Sequence, residues 1–400
     1  MWQTIRALPR TVWLIGLISL INDSASELVY PLVPLYLTSV LMAGPRALGL
    51  IEGIAEATAS LLKWVSGVVV DRTRRSKPWI VVGYGLAALG RPLIAWVTSW
   101  PALLAIRFAD RVGKGLRTSP RDALLAASVG ADRRGLAFGV HRAMDNAGAV
   151  IGPLLAAALL ASGMPLREVF LWTWVPALVC VALALALREP ATPAPAPNVA
   201  QIGLGSGGAA LPPVFRRYLV IVALFALGNS SNMFLLLRAS ELGVPQAQIP
   251  LLWAAVSFIA MVLSVPLSGL SDRIGRRRLL LMGYGAYALF YLAMGLSNPT
   301  GVWLVGWFAF YGIFLAATEG VEKALVADLA PAQLRGTAFG WFNMTTGAML
   351  LPASFVFGLL YEHAGAGPAF AFSAGCALAA GALLWRWLPR TGATAGASGR

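Results

Sequence analysis

Charge is scarce in this 400-residue chain. Asp, Glu, Lys and Arg make up 12% of it, where a soluble globular domain carries about a quarter. With 58% hydrophobic residues and a mean hydropathy of +0.72, the shortage excludes an ordinary water-soluble enzyme or binding module. Cysteine is nearly absent too. Cys180 and Cys376 stand alone in apolar stretches, with no CxxC and no His/Cys cluster, so neither a disulfide framework nor a zinc site is indicated. There is no GxxxxGK[ST] loop, no HExxH and no selectivity-filter sequence. ATP is therefore not the direct energy source, no metal or cofactor is expected, and no nucleophile–base constellation marks an enzyme. Acidic residues are outnumbered, 17 against 31 Lys and Arg, for a net charge of +14. In a soluble chain that excess points to nucleic acid; here the basic residues punctuate apolar runs, and nucleic acid is not an expected partner.

What the chain has instead is a succession of apolar runs, each about 20 residues long, the length that crosses a hydrocarbon core. Breaking them at charged or Gly/Pro-rich loops predicts twelve helices, near 12–39, 47–70, 79–98, 101–128, 136–162, 168–187, 215–238, 249–270, 279–297, 300–328, 336–361 and 367–388. The first run, TVWLIGLISLI, follows Arg6 and Arg10 as a signal peptide would, but it continues without a stop and reads as a retained helix. Lys and Arg concentrate in alternate loops, among them Arg72, Arg74, Arg75, Lys77, Arg133, Arg134, Arg188, Arg216, Arg217, Arg273, Arg276, Arg277 and Arg278. By the positive-inside rule both termini are cytoplasmic, and the compact loops suit a bacterial inner membrane. The Pro/Ala/Gly-rich stretch 188–214 cannot pack a core and reads as a cytoplasmic linker. It separates an N-terminal six-helix domain, 1–187, from a C-terminal one, 215–388, followed by a cytoplasmic tail, 389–400. The fold class expected is an all-α polytopic membrane protein of two pseudo-symmetric six-helix bundles.

The two halves repeat. GVVVDRTRR follows the second span and SGLSDRIGRR the eighth, which places Asp71 and Asp272 201 residues apart; RGLAFG at Arg134 and RGTAFG at Arg335 show the same offset. An Asp at a helix end beside arginines can cap and pair across one face, so Gly67, Asp71, Arg72 and Arg75, with Asp272 and Arg273, are candidates for a conformational latch. The arrangement resembles the major facilitator superfamily over essentially the whole chain. Its signature loop has Arg74 here where the family usually has Gly, while the second copy keeps Gly275 and has Ser268 in the leading Gly position. In the fifth span, Gly139, Gly148, Gly152 and Pro153 fall at the spacing of the motif that resemblance links to antiporters, with Ala156 and Ala157 replacing its terminal Gly pair. Small residues permit close helix approach and Pro permits a bend, making Gly148, Gly152 and Pro153 candidate hinge residues.

The fourth span carries Arg107, Arg111, Lys114, Arg117 and Arg121. At about 100° per residue they fall within roughly 120° of arc, a basic stripe that cannot face lipid. Asp23, Glu27, Glu52, Glu56, Asp110 and Asp145 are candidate partners. Arg117 and Arg121 lie near the cytoplasmic end, where snorkelling or pairing with Asp122 explains them. Arg111-Val-Gly-Lys-Gly115 resembles the superfamily's fourth-helix RxxxG pattern, which implies a proton-coupling role for Arg111, with Lys114 in place of a frequent Gln. Asp23 and Glu27, four apart on one helix face, are the candidate proton carriers. Asn22, Tyr30, Arg107, Lys114, Asp145, Asn229 and Asn232 are candidate substrate ligands, because the resemblance implies that the first and seventh helices flank a central cavity.

These residues imply a secondary transporter working by alternating access, with proton-coupled export of a small organic solute as the leading expectation. Two substrate readings stand: an anion held by midplane cations, or amphiphilic compounds extruded by a broad drug/proton antiporter. From another class, the same scaffold would also suit a transport-dead sensor or a lipid-handling protein. The expected partners are a small-molecule solute, protons and membrane lipid, with the chain acting as a monomer.

Overall fold

The computed structural model describes residues 2–30, 32, 33, 36, 40–42, 45–189, 210–245 and 248–388, without the side chains of Trp2, 45–57 and 249–251. Most of the linker (190–209), the tail 389–400 and the side chains of Arg46, Glu52 and Glu56 lie outside the described residues. Among the described residues every regular element is helical. After a short helix, Trp2–Arg6, come α1 (Arg10–Val29), α2 (Pro45–Thr73), α3 (Lys77–Leu93), α4 (Trp100–Ala127), α5 (Arg134–Ala161) and α6 (Leu166–Leu171 with Trp174–Leu185). Then follow α7 (Pro213–Gly228 with Met233–Glu241), α8 (Ile249–Ile274), α9 (Arg276–Leu296), α10 (Gly301–Leu329), α11 (Arg335–Ala364) and α12 (Ala366–Trp387). Among the described residues, ten helical spans are long and apolar enough to cross a membrane. The helices α2 and α4, of 29 and 28 residues, have the length as well, and in α4 the basic stripe lowers the hydropathy.

Local chemistry sets several boundaries. Ser99, in extended conformation, precedes α4, and Pro101 occupies its first turn, where a missing N–H leaves no bond unmade. Gly275 ends α8 at φ +94°. Arg74, 201 residues earlier, also has positive φ, +55°, so the loop demands left-handed backbone in both copies and only the second supplies the residue that adopts it freely. Two expected helices are interrupted, the sixth briefly at Trp172 and Thr173. The seventh span is not a continuous helix: it breaks from Asn229 to Asn232.

The chain divides into two compact units. The first comprises Met1–Val129, Met144–Ala210 and Pro331–Met344; the second comprises Gly130–Ala143, Leu211–Ala330 and Thr345–Arg400. Helices α5 and α11 are thus each shared out along their length. In the first unit, Leu28, Val29, Tyr36, Ile94, Leu103 and Phe170 form an apolar cluster, and the Tyr36 hydroxyl donates to the Val97 carbonyl at 2.9 Å. The second unit has an aromatic interior. Phe225 stacks on Tyr284 with centroids 4.1 Å apart, Tyr287 on Tyr291 at 4.0 Å, and Phe290 on Tyr311 at 4.8 Å.

Candidate transport site

In the first unit the basic stripe of α4 is turned inward, with Arg107, Arg111 and Arg117 all buried. Charge at such a place needs partners. Asp110, 2% exposed, supplies the central one: it pairs with Arg91 of α3 at 3.1 Å and with Arg111 at 3.5 Å. Arg91 also donates to the Asn22 carbonyl on α1 at 3.0 Å, which links α1, α3 and α4 through one guanidinium. Arg117 is enclosed by α3, with its guanidinium 4.5 Å from the Tyr84 ring and a hydrogen bond to the Gly83 carbonyl at 3.2 Å. Arg107 lies 5.9 Å from the Tyr30 ring. Arg121 pairs with Asp122 at 3.1 Å and donates to Ser19, and Asp145 adds to the negative field around it. The glycines between the cations let neighbouring helices come close. A Cβ on Gly113 would collide with the Gly83 carbonyl, and one on Gly115 would lie 2.5 Å from the Leu62 Cβ.

The carboxylates of α1 are held differently. Asp23 accepts from the Asn22 amide at 2.8 Å. Glu27 makes no ion pair among the described residues, yet it is largely buried and Lys114, Arg111, Arg91 and Arg107 stand near enough to act on its charge. Both acids are fixed by α5. A Cβ on Gly148 would meet the Leu20 carbonyl at 2.8 Å and the Asp23 Cβ at 2.9 Å; one on Gly152 would meet the Ser24 carbonyl at 2.6 Å and the Glu27 Cβ at 2.7 Å. Pro153 lies on the exposed side of α5, and the helix runs on past it. Asp23, Glu27, Arg107, Arg111, Lys114, Gly148 and Gly152 are therefore brought to one neighbourhood. Sequence reasoning missed the weight of Arg91 there, a single charge in an apolar run whose partner is 19 residues away in sequence.

In the second unit the polar cluster of α7 coincides with its break. The Gly228 carbonyl, freed by the unwinding, accepts from the Tyr287 hydroxyl at 2.9 Å, and the Ser231 N–H donates to Ser354 Oγ at 3.2 Å. Asn229 ends the first segment with a non-helical ψ of 75°. Asn232 Oδ1 accepts from the Tyr311 hydroxyl at 3.0 Å. Interrupted helices in a membrane expose backbone groups that regular helices hide, which is why such breaks serve as binding sites.

The repeated motifs meet each other in pairs. In the first unit, Asp71 accepts from the N–H groups of Gly336 at 2.9 Å and Thr337 at 2.6 Å, capping α11. In the second, Asp272 accepts from Gly135 at 3.0 Å and Leu136 at 2.9 Å, capping α5. Gly67 permits the first of these contacts: a Cβ there would collide with the Gly336 carbonyl. Arg72, Arg75 and Arg273 are exposed, and the cation that pairs with Asp272 is Arg276. Arg276 also pairs with Asp328 at 3.1 Å, which in turn binds Arg134. Ala127 stands 201 residues before Asp328, so the first copy has no equivalent carboxylate. Asp71→Ala is expected to cost about 1–2 kcal/mol, as removal of a helix cap does. Hydrogen exchange at the Gly336 and Thr337 amides should accelerate; unchanged protection would mean that Asp71 does not hold that turn.

Membrane-length helices enclosing a paired charge cluster, with one helix broken at a polar run, are the build of a transmembrane transporter. The chain belongs to the Major Facilitator Superfamily, whose sequence profile matches residues 12–237 and 218–399, and it is a transporter, not an enzyme. An uncharacterized MFS-type transporter of Methanocaldococcus jannaschii is 33% identical over 366 residues, 89% of this chain and 90% of that protein. The multidrug resistance protein MdtH of Photorhabdus laumondii is 26% identical across 79% of this chain and 78% of its own. Among solved structures, the human organic anion transporter MFSD10 is similar with a TM-score of 0.74 at 18% identity, covering 94% of this chain and 100% of that one.

Proposed function

We propose that this transporter moves a small organic anion coupled to protons by alternating access, with Asp23 and Glu27 as proton carriers and Arg111 as the residue that relays their charge state. What supports the reading is the setting of Glu27, which close packing of Gly152 on α1 holds beside the cations of α3 and α4 and which is bridged to none of them among the described residues. A proton on Glu27 leaves Lys114 and Arg107 less compensated and strengthens their hold on an anion; by reciprocity, a bound anion favours the proton. Proton and anion then travel the same way, which departs from the export expected from the antiporter-like spacing of the fifth helix; export belongs to the second reading. Gly67, Asp71, Arg72, Arg75, Asp272 and Arg273 serve as the latch on this reading, and Gly148, Gly152 and Pro153 as the hinge. Asn22, Tyr30, Asp145, Asn229 and Asn232 complete the substrate contacts.

A second reading, a drug/proton antiporter, draws on the likeness to a multidrug resistance protein and on the fifth-helix glycines. There a lipophilic cation displaces the proton from Glu27, and export follows. Reconstituted vesicles with a pH-sensitive dye separate the two. Organic acids are expected to drag protons with them, and Glu27→Gln to abolish that movement while leaving anion exchange. Proton movement opposite to added lipophilic cations would select the antiporter. Coupling that survives in Asp23→Asn, Glu27→Gln and Arg111→Ala alike would sink both assignments of the proton site.

A further inference from the structure

A cavity of 730 Å³ opens on the second unit where the start of α7 meets the end of α12, lined by Pro213, Arg216, Arg217, Val220, Arg386 and Trp387. The three arginines are exposed, and none makes an ion pair or hydrogen bond from its guanidinium among the described residues. Three like charges around one cavity repel. The segments adjoining the cavity in sequence, 190–209 and 389–400, contain no Asp or Glu, and the second adds Arg390 and Arg400. The surroundings have the character of a membrane interface. Trp387 is half-buried and Val220 exposed, giving the cavity an apolar wall; beside them Trp385 is exposed, with the Arg277 guanidinium 4.6 Å from its ring.

We infer that this cavity binds the phosphate headgroup of an anionic phospholipid of the phosphatidylglycerol class, with Arg216, Arg217 and Arg386 on the phosphate and Val220 and Trp387 against the glycerol and acyl chain. Guanidinium is the side chain best suited to a phosphate diester, because its planar fork makes two charge-assisted hydrogen bonds at once. A leaflet rich in anionic lipid supplies that group at the depth where basic and aromatic residues gather. The inference rests on the orientation read from the loop charges, which places this edge at the cytoplasmic leaflet. It is independent of the substrate and of proton coupling, so a failure of either leaves it standing.

The test uses the full-length protein in neutral detergent and reads the thermal unfolding midpoint with added phosphatidylglycerol, phosphatidylcholine or inorganic phosphate. Phosphatidylglycerol is expected to raise the midpoint and the other two to leave it. The triple variant R216Q/R217Q/R386Q should keep its lipid-free midpoint and lose most of the rise, while R6Q/R10Q, exposed arginines elsewhere, should keep the rise. Retention of the rise in the triple variant overturns the site. Equal loss in R6Q/R10Q shows diffuse charge attraction instead, and a full rise with inorganic phosphate makes a soluble phosphate the occupant; either result overturns the lipid assignment. If the triple variant does not fold, Arg386→Gln alone should retain fewer copies of phosphatidylglycerol in native mass spectrometry, and an unchanged count overturns the inference.

Discussion

Asp110→Ala is expected to lower the stability of the folded protein by about 3–5 kcal/mol, the range seen when one partner of a buried ion pair is removed. The carboxylate is shared by Arg91 at 3.1 Å and Arg111 at 3.5 Å, and all three groups are buried. Its loss leaves two guanidiniums facing each other with less compensation, in a setting where the field of each is weakly screened. The measurement is the thermal midpoint and the yield of monodisperse protein. A double-variant cycle identifies the cause. Removing both charges, as in D110L/R91L, is expected to recover part of the loss, because an apolar pair of similar volume replaces a buried ion pair at small cost. If the single and double variants are equally unstable, Asp110 acts through packing and the bridge has no separate role.

Gly152→Val is expected to abolish transport, with Gly148→Val close behind it. A Cβ at Gly152 would lie 2.6 Å from the Ser24 carbonyl and 2.8 Å from the Leu28 N, so the obstruction is backbone and no rotamer change relieves it. Helix α1 must move away. Overpacking of this kind costs about 1–3 kcal/mol in stability. The larger consequence is positional: Glu27, whose Cβ would be 2.7 Å from the new atom, shifts relative to Lys114 and Arg111. Displacing a reacting group by about 1 Å lowers rates by up to about 100-fold. Gly85 is the control, since a Cβ there meets nothing within 4 Å. Gly85→Ala should leave transport unchanged and add helix propensity worth about 0.5–1 kcal/mol. Wild-type flux in Gly152→Val would show that α1 and α5 are not locked together in the transporting protein.

Much of this architecture is legible in the sequence because it follows from local rules. The apolar runs mark the spans with no knowledge of what packs on what, and the 201-residue offset marks the repeat. The start of α4, at residue 100 against the expected 101, follows from Ser99 and Pro101. The interruption of α7 was less legible. Asn229, Ser230, Ser231 and Asn232 read as a polar patch on a helix, because nothing in their order reveals that Tyr287, Ser354 and Tyr311 stand ready to satisfy the released backbone and side-chain groups. Arg276 illustrates a different limit. Positive charge in a short loop is explained by topology alone, so its pairing with Asp272 and Asp328 leaves no trace in the local pattern.

The sequence by itself determined the class: hydropathy sets a membrane protein, charge sets where the spans stop, and the duplicated motifs set the internal repeat. These are additive, short-range properties of the chain. Which acid holds the cations of α4 was decided only by tertiary structure. Asp23, Glu27, Glu52, Glu56, Asp110 and Asp145 are equivalent candidates on paper, and at a few ångströms the strength of a pair depends on distances that packing alone sets. Packing gave Asp110 to Arg91 and Arg111 and left Glu27 in their field without a bridge among the described residues. It did so through glycines such as Gly83, Gly113, Gly148 and Gly152, whose missing side chains let backbones approach closely enough to fix where each charge stands.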